Sequence, residues 1–426
     1  MKAPLNRRVV ICGYEMATCL GAGLDATWER AVNNESGIGW LDRFDPGEYS
    51  VRTAGQIPDY DLTQSGLFSE RELGYWNARF IAMTVDLSKK ALEKAGVAVT
   101  DENAHRIGSI TGSAIGGKDA YENALNVIGE RGPSRVSPFL LPNICVNLPS
   151  GMASIKLGFT GPVYAIESAC ATGAHAVAES AHIIQRGDAD LMIAGGVEFP
   201  LLPAIVYGFG NMRTLFRPRD SSDRAYEDAS KASRPYSADR RGFVLAEGAC
   251  IIVLAEAEYA AAHDLPVIAE VCGTAMNSDA GHYTQPRAQT ITRCIRGALE
   301  DAGTGPDEID YVNGHGTSTT IGDQVELECL GEIFGKGISK IPVSSNKSQL
   351  GHSLAAAAAL ETALSCECMK RGMLLPTLNI DPEPEWDHLD YVPEARKAQA
   401  STVLVNSFGF GGANCCIVLK KREDGD

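Results

Sequence analysis

Val163-Tyr-Ala-Ile-Glu-Ser-Ala-Cys-Ala-Thr-Gly-Ala-His175 decides how the rest of this 426-residue chain is read. Its first residues have the apolar, β-branched and aromatic character of a strand. They pass directly into an Ala-rich helical pattern that closes at Arg186-Gly187, and the strand Asp190-Leu-Met-Ile-Ala194 follows. The junction sets Cys170 at a helix N-terminus, where unpaired N–H groups and the positive end of the dipole favour thiolate over thiol. Ala169, Ala171 and Gly173 leave room for a bulky electrophile. A cysteine among small apolar residues is by itself a packing residue, so a covalent acyl carrier at this position needs partners elsewhere in the chain.

The same order recurs downstream. Ile309-Asp-Tyr-Val312 runs into a glycine-flanked His315, and Ile341-Pro-Val-Ser344 leads through Lys347 and His352 into the helical pattern 354–361. That helix ends at Arg371-Gly372, before a strand at 402–405. Strand, turn, Ala-rich helix, Arg-Gly and strand therefore occur twice, at a period far longer than that of a solenoid. Two similar α/β halves packed on each other are expected. The division is placed where the helical pattern 255–262 gives way to a strand at 267–271. Residues 1–263 then carry Cys170 and residues 264–426 carry both histidines, so a site would lie at their junction.

His315, in Gly314-His-Gly-Thr-Ser-Thr319, and His352, in Asn346-Lys-Ser-Gln-Leu-Gly-His352, each follow a glycine just beyond a predicted strand. A tight turn at a strand end presents a side chain to a cleft, whereas a core histidine sits inside a regular element. The other six histidines lack this setting.

With Asn406-Ser-Phe-Gly-Phe-Gly-Gly-Ala-Asn414 added, these segments in this order resemble the β-ketoacyl-acyl-carrier-protein synthases, the elongating condensing enzymes of fatty acid synthesis and the ketosynthases of type II polyketide systems. The resemblance spans almost the whole chain. It implies the thiolase fold, a duplicated α/β architecture of five layers, αβαβα. It also implies decarboxylative Claisen condensation of an acyl group on Cys170 with malonyl-acyl carrier protein, without a cofactor or metal. Three alternatives share parts of this pattern. A thiolase-like coenzyme A acyltransferase would use a second cysteine, for which Cys415 and Cys416 stand near the last glycine-rich turn. A chain-length partner subunit would lack Cys170, and a cysteine protease would explain neither the second histidine nor the duplication. A ketosynthase paired with a chain-length-factor subunit remains open beside a homodimer.

By the same resemblance, His315 and His352 donate hydrogen bonds to the enolate left by decarboxylation. Lys347 pairs with Glu361, and Asp323 and Glu326 support the network. The N–H groups of Cys170 and Phe408 form the oxyanion hole, and the Phe408 ring gates the acyl channel. Ile115, Tyr121 and Phe139 line the acyl pocket, partly across a dimer interface. Lys118 and Tyr121 stand where the fatty acid enzymes carry aliphatic residues, which favours shorter, polar or unsaturated chains.

Composition agrees with a globular metabolic enzyme: 44% hydrophobic against 22% charged residues excludes a disordered chain. No apolar run approaches the roughly 18 residues that span a bilayer, and the N-terminal residues lack a secretory leader pattern. Cytoplasmic residence and reduced thiols are expected for the 12 cysteines. No Cys or His spacing suggests a zinc site. A net charge of −16 argues against nucleic acid or an anionic membrane as partner. An acidic carrier protein would need a local basic patch, for which Arg213, Arg217 and Arg219 are the candidates. The second part of the family's docking surface is weakened here to Glu70-Arg-Glu-Leu-Gly-Tyr-Trp76. The polar stretch 217–235 reads as an ordered surface loop or a partly mobile segment.

Overall fold

A computed structural model describes residues 7–422. Most of the N-terminal segment in which a leader was sought lies outside the described residues. Among the described residues, ten strands form one sheet made of two matching halves. In the first, β1 (Val9–Ala17), β2 (Ile107–Gly112), β3 (Val163–Tyr164), β4 (Leu191–Glu198) and β5 (Gly248–Glu256) stand in the order β3-β2-β4-β5-β1. In the second, β6 (Ala269–Ser278), β7 (Tyr311–Asn313), β8 (Val343–Ser344), β9 (Thr402–Gly409) and β10 (Ala413–Lys421) repeat it as β8-β7-β9-β10-β6. The strand senses repeat as well. β2 is parallel to β3 and β4, as β7 is to β8 and β9, and the remaining pairs in each half are antiparallel. The halves join where β1 meets β6, antiparallel, at Val10–Glu270 and Ile11–Ala269.

The helices that place the site are α1 (Arg79–Lys94), α2 (Lys118–Arg131), α3 (Leu148–Leu157), α4 (Thr172–Arg186), α5 (Pro203–Asn211), α6 (Ala288–Asp301), α7 (Thr320–Phe334) and α8 (Ala357–Arg371). The pleat sorts the strand residues between layers. Met192 and Ala194 of β4, with Val403 and Val405 of β9, join α4 and α8 in one core between the half-sheets. Leu191 and Ile193 face α1 and α3 on one outer side, and Leu404 faces α6 and α7 on the other. Helix, sheet, helix, sheet and helix therefore stack in the five layers of the thiolase fold. Sheets covered on both faces explain why the strands read as continuous apolar runs.

The Ala-rich composition of α4 and α8 follows from their central position. A β-carbon on Gly173 would lie 2.7 Å from the Ala359 nitrogen and 2.8 Å from the Ala355 oxygen, so the helix backbones touch there. Both helices end in a left-handed glycine, Gly187 (φ 80°) and Gly372 (φ 63°), as the Arg-Gly pairs predicted. Both are also entered through a left-handed non-glycine residue, Ala169 (φ 51°) and Leu354 (φ 45°). Each such corner costs on the order of 1–3 kcal/mol. Each opens one 3₁₀ turn, Ala169–Ala171 and Leu354–Ala356, so Ala355 is the second-half counterpart of Cys170.

The stretch 217–235 is ordered. Arg234, 1% exposed, pairs with Asp223 at 2.7 Å and with Asp239, and its guanidinium lies 5.0 Å over the Phe216 ring. The Ser233 hydroxyl donates to the Lys347 carbonyl at 2.7 Å, which ties the segment to the second half. No helix among the described residues is long and apolar enough to cross a membrane.

Candidate active site

The elbow before α4 buries Cys170, and the turn after β8 brings His352 to it, with Nε2 3.1 Å from Sγ. Phe243 packs edge-on against the His352 ring at 5.1 Å. The His352 N–H donates to the Val244 carbonyl at 2.7 Å, which fixes the turn. His315 follows β7, and its ring centre lies 5.7 Å from that of His352 with the planes nearly perpendicular. Cys170 comes from the first half and both histidines from the second, as the duplication required.

The support beneath His315 is a set of buried carboxylates. Glu326 accepts the N–H groups of His315 and Gly316, each at 2.8 Å, together with the Tyr236 hydroxyl and the Asn406 amide. Asp323 accepts the N–H groups of Thr317, Ser318, Thr319 and Tyr236. Together they clamp the turn 315–319 by its backbone. Lys347 donates to the His315 carbonyl at 2.6 Å and forms an ion pair with Glu361, all three groups being buried. Burial pushes the Glu361 carboxyl up to about 7 against the pull of Lys347, and Asp323 up to about 6.

Burial holds both imidazoles well below their usual range, and the Lys347 charge adds to the effect, so His315 and His352 are neutral. It also pushes the Cys170 thiol up to about 11. Here desolvation outweighs the pull of the Phe410 N–H and of Lys347, in the direction opposite to the preference for thiolate expected of a helix N-terminus.

The glycine-rich turn places its two phenylalanines differently. The amide that reaches Cys170 is that of Phe410, whereas Phe408 still lies in β9, opposite Asn414. The chain leaves the sheet only after Gly409 and turns at Gly411 (φ 82°). The Phe408 ring rests against His315 at 5.5 Å, and the Phe410 ring faces Phe209 of α5 at 6.3 Å. The sequence offered two phenylalanines in alternation, and only the end of the β-ladder distinguishes them.

A cavity of about 420 Å³ opens over Cys170, walled by Ile115, Phe209, Phe243, Leu354 and Phe410. Tyr121 and Phe139 are not among its walls. Tyr121 sits on an outward face of α2, 45% exposed, and Phe139 stacks on Tyr75 at 4.9 Å. Of α2, only Ala120 and Ala124 are buried, so within one chain Lys118 and Tyr121 do not shape the cavity. Arg213 is exposed at the cavity wall together with Arg241, which the sequence reading missed. Arg219 is exposed beside Asp220. Arg217 is half-buried, bonded to the Gly210 carbonyl and 5.6 Å over the Tyr49 ring, so its guanidinium is engaged within its own fold.

The beta-ketoacyl synthase N-terminal domain matches residues 6–260, and its C-terminal domain matches residues 268–381. The chain belongs to the beta-ketoacyl synthase family. This synthase is 38% identical to 3-oxoacyl-[acyl-carrier-protein] synthase 2 of Coxiella burnetii, over 98% of this chain and all of that one. Among solved structures it is similar to a beta-ketoacyl synthase from Burkholderia phymatum, at 32% identity and a TM-score of 0.88, covering 98% of this chain and 100% of that one. It is also similar to a chain in the complex of a type II PKS acyl-carrier protein with its ketosynthase bound to the hexaketide, at 29% identity and a TM-score of 0.87 over the same shares. The protein is an acyltransferase that joins an acyl group to a malonyl unit by decarboxylative Claisen condensation.

Proposed function

We propose that Cys170 is the acyl-carrying nucleophile, with His315 and His352 serving the decarboxylation. The observation that carries this reading is the buried triangle of one thiol and two neutral imidazoles at the foot of the cavity. In loading, the sulfur attacks a carrier-bound thioester, and the thiol proton ends on the departing carrier thiol, with His352 Nε2 on its path. The N–H groups of Cys170 and Phe410 hold the oxyanion. In condensation, the malonyl carboxylate leaves as carbon dioxide and its electron pair forms an enolate, whose oxygen accepts from the two imidazole N–H groups. The enolate carbon attacks the acyl carbonyl, and Cys170 leaves and regains a proton. Lys347, Glu361, Asp323 and Glu326 hold the His315 turn in place, and Phe408 and Phe410 wall the entrance.

Residues 1–263 and 264–426 are the two units of this enzyme, one supplying the thiol and the other the imidazoles. The partner is an acidic carrier protein bearing malonyl and acyl thioesters, and it docks at Arg213, Arg219 and Arg241. Tyr121, Leu125 and Ile128 recur at helical spacing as exposed apolar residues on α2, with Leu141 exposed nearby in sequence. A second copy of the chain, or a related subunit, covers that face. The twelve free thiols suit a reducing, cytoplasmic setting.

Intact-protein mass spectrometry after exposure to an acyl-carrier thioester tests the reading. One acyl mass should appear on the wild type and none on Cys170→Ala. Acyl mass on Cys170→Ala overturns it.

A further inference from the structure

Glu198, the last residue of β4, is fully buried, and no cation pairs with it among the described residues. Its carboxylate instead accepts four neutral donors from two distant parts of the chain. One oxygen takes the Ser113 hydroxyl at 2.8 Å and the Ile115 N–H at 3.1 Å; the other takes the Ala114 N–H at 2.8 Å and the Ala355 N–H at 3.3 Å. Ser113 in turn accepts the Gly116 N–H at 2.8 Å, so the turn 113–116 is wrapped around the carboxylate. Ala114 and Ile115 of that turn, and Leu354 next to Ala355, all line the Cys170 cavity.

A buried carboxylate without a cation is costly to keep, and four hydrogen bonds offset only part of that cost. Burial accordingly raises its pKa to about 7. A wall that needed only packing could be built from apolar residues at lower cost. What Glu198 adds is a direct connection between a turn of the first half and the elbow of the second, both of which line the Cys170 cavity.

We propose that Glu198 is a positioning residue for acyl transfer, holding the Ser113–Gly116 turn and the Leu354–Ala355 elbow at a fixed separation so that Ile115 and Leu354 set the width of the acyl cavity. The inference rests on Cys170 being the acyl carrier. Glu198→Gln retains the volume but sets an amide NH₂ against two N–H or O–H donors, whichever way it turns. Ser113→Ala removes one of the four donors, and with it the acceptor of the Gly116 N–H, and leaves the carboxylate in place.

The experiment measures kcat/KM for loading of Cys170 from hexanoyl and palmitoyl carrier thioesters, and separately the decarboxylation of malonyl carrier thioester, in wild type, Glu198→Gln and Ser113→Ala. In Glu198→Gln, loading of the better acyl substrate should fall by about tenfold, with the preference between the two chains flattened and decarboxylation losing much less. Ser113→Ala should shift loading in the same direction by a smaller factor. Equal loss of both half-reactions in Glu198→Gln, or unchanged loading with circular dichroism intact, overturns the proposal. If Glu198→Gln does not fold, Ser113→Ala decides, and unchanged loading there overturns it. A wild type that gains no acyl group at Cys170 refutes the underlying assignment instead.

Discussion

Cys170 rests as a thiol because its environment is dry, and this has a measurable signature. Alkylation by iodoacetamide should accelerate with rising pH across the neutral range and approach a plateau only near the thiol pKa of about 11. A plateau below neutrality would mean that the helix N-terminus outweighs burial. The histidines separate by step. His315→Ala or His352→Ala should slow malonyl decarboxylation by on the order of 100- to 1000-fold, with a smaller effect on acylation of Cys170. Comparable losses in both steps, with the fold intact, would count against the donor role. At this scale the sequence was informative where a reactive residue type sits beside a turn, as at Cys170, His315 and His352. It was silent where function lies in the backbone: Phe408 and Phe410 are chemically alike, and which amide reaches the sulfur depends on where the strand stops pairing.

Among the elements, the two central helices carry the most constraint. Gly173→Ala forces a β-carbon against the backbone of α8, which two packed helices cannot relieve by a rotamer change. It should cost roughly 1–3 kcal/mol in denaturant unfolding, as overpacked cores do. A stability equal to wild type would show that the helices can slide apart. The Ala-rich patterns, the Arg-Gly stops and the flanking strands were legible because composition and termination signals agree there. The placement of α2 was not. Tyr121 is expected by resemblance to line the acyl pocket, and the chain instead turns it outward, together with Leu125 and Ile128 of the same helix. A surface that another subunit covers has the composition of a core, so periodicity cannot tell the two apart.

For the whole molecule, a net charge of −16 opposes an acidic carrier protein at long range, but screening within about 8 Å at physiological salt leaves local charge in control of docking. Reversing Arg213 and Arg241 together should raise KM for carrier-bound substrates and leave a small thioester analogue unaffected, and added salt should weaken wild-type turnover with the carrier. Turnover indifferent to salt, or equal losses with the small analogue, would remove these arginines from the docking surface. The duplication was the most legible property at this scale, since it is written in the order of strand, helix and stop. Equally consequential is what the second copy does with its inherited corner. Leu354 keeps the strained backbone of Ala169, yet the position after it holds alanine in place of sulfur. A symmetric scaffold has thereby become an asymmetric tool. One corner offers a reagent; its twin is a blank socket whose amide serves as a strut and whose approach, two residues earlier, delivers His352 to the other corner's thiol.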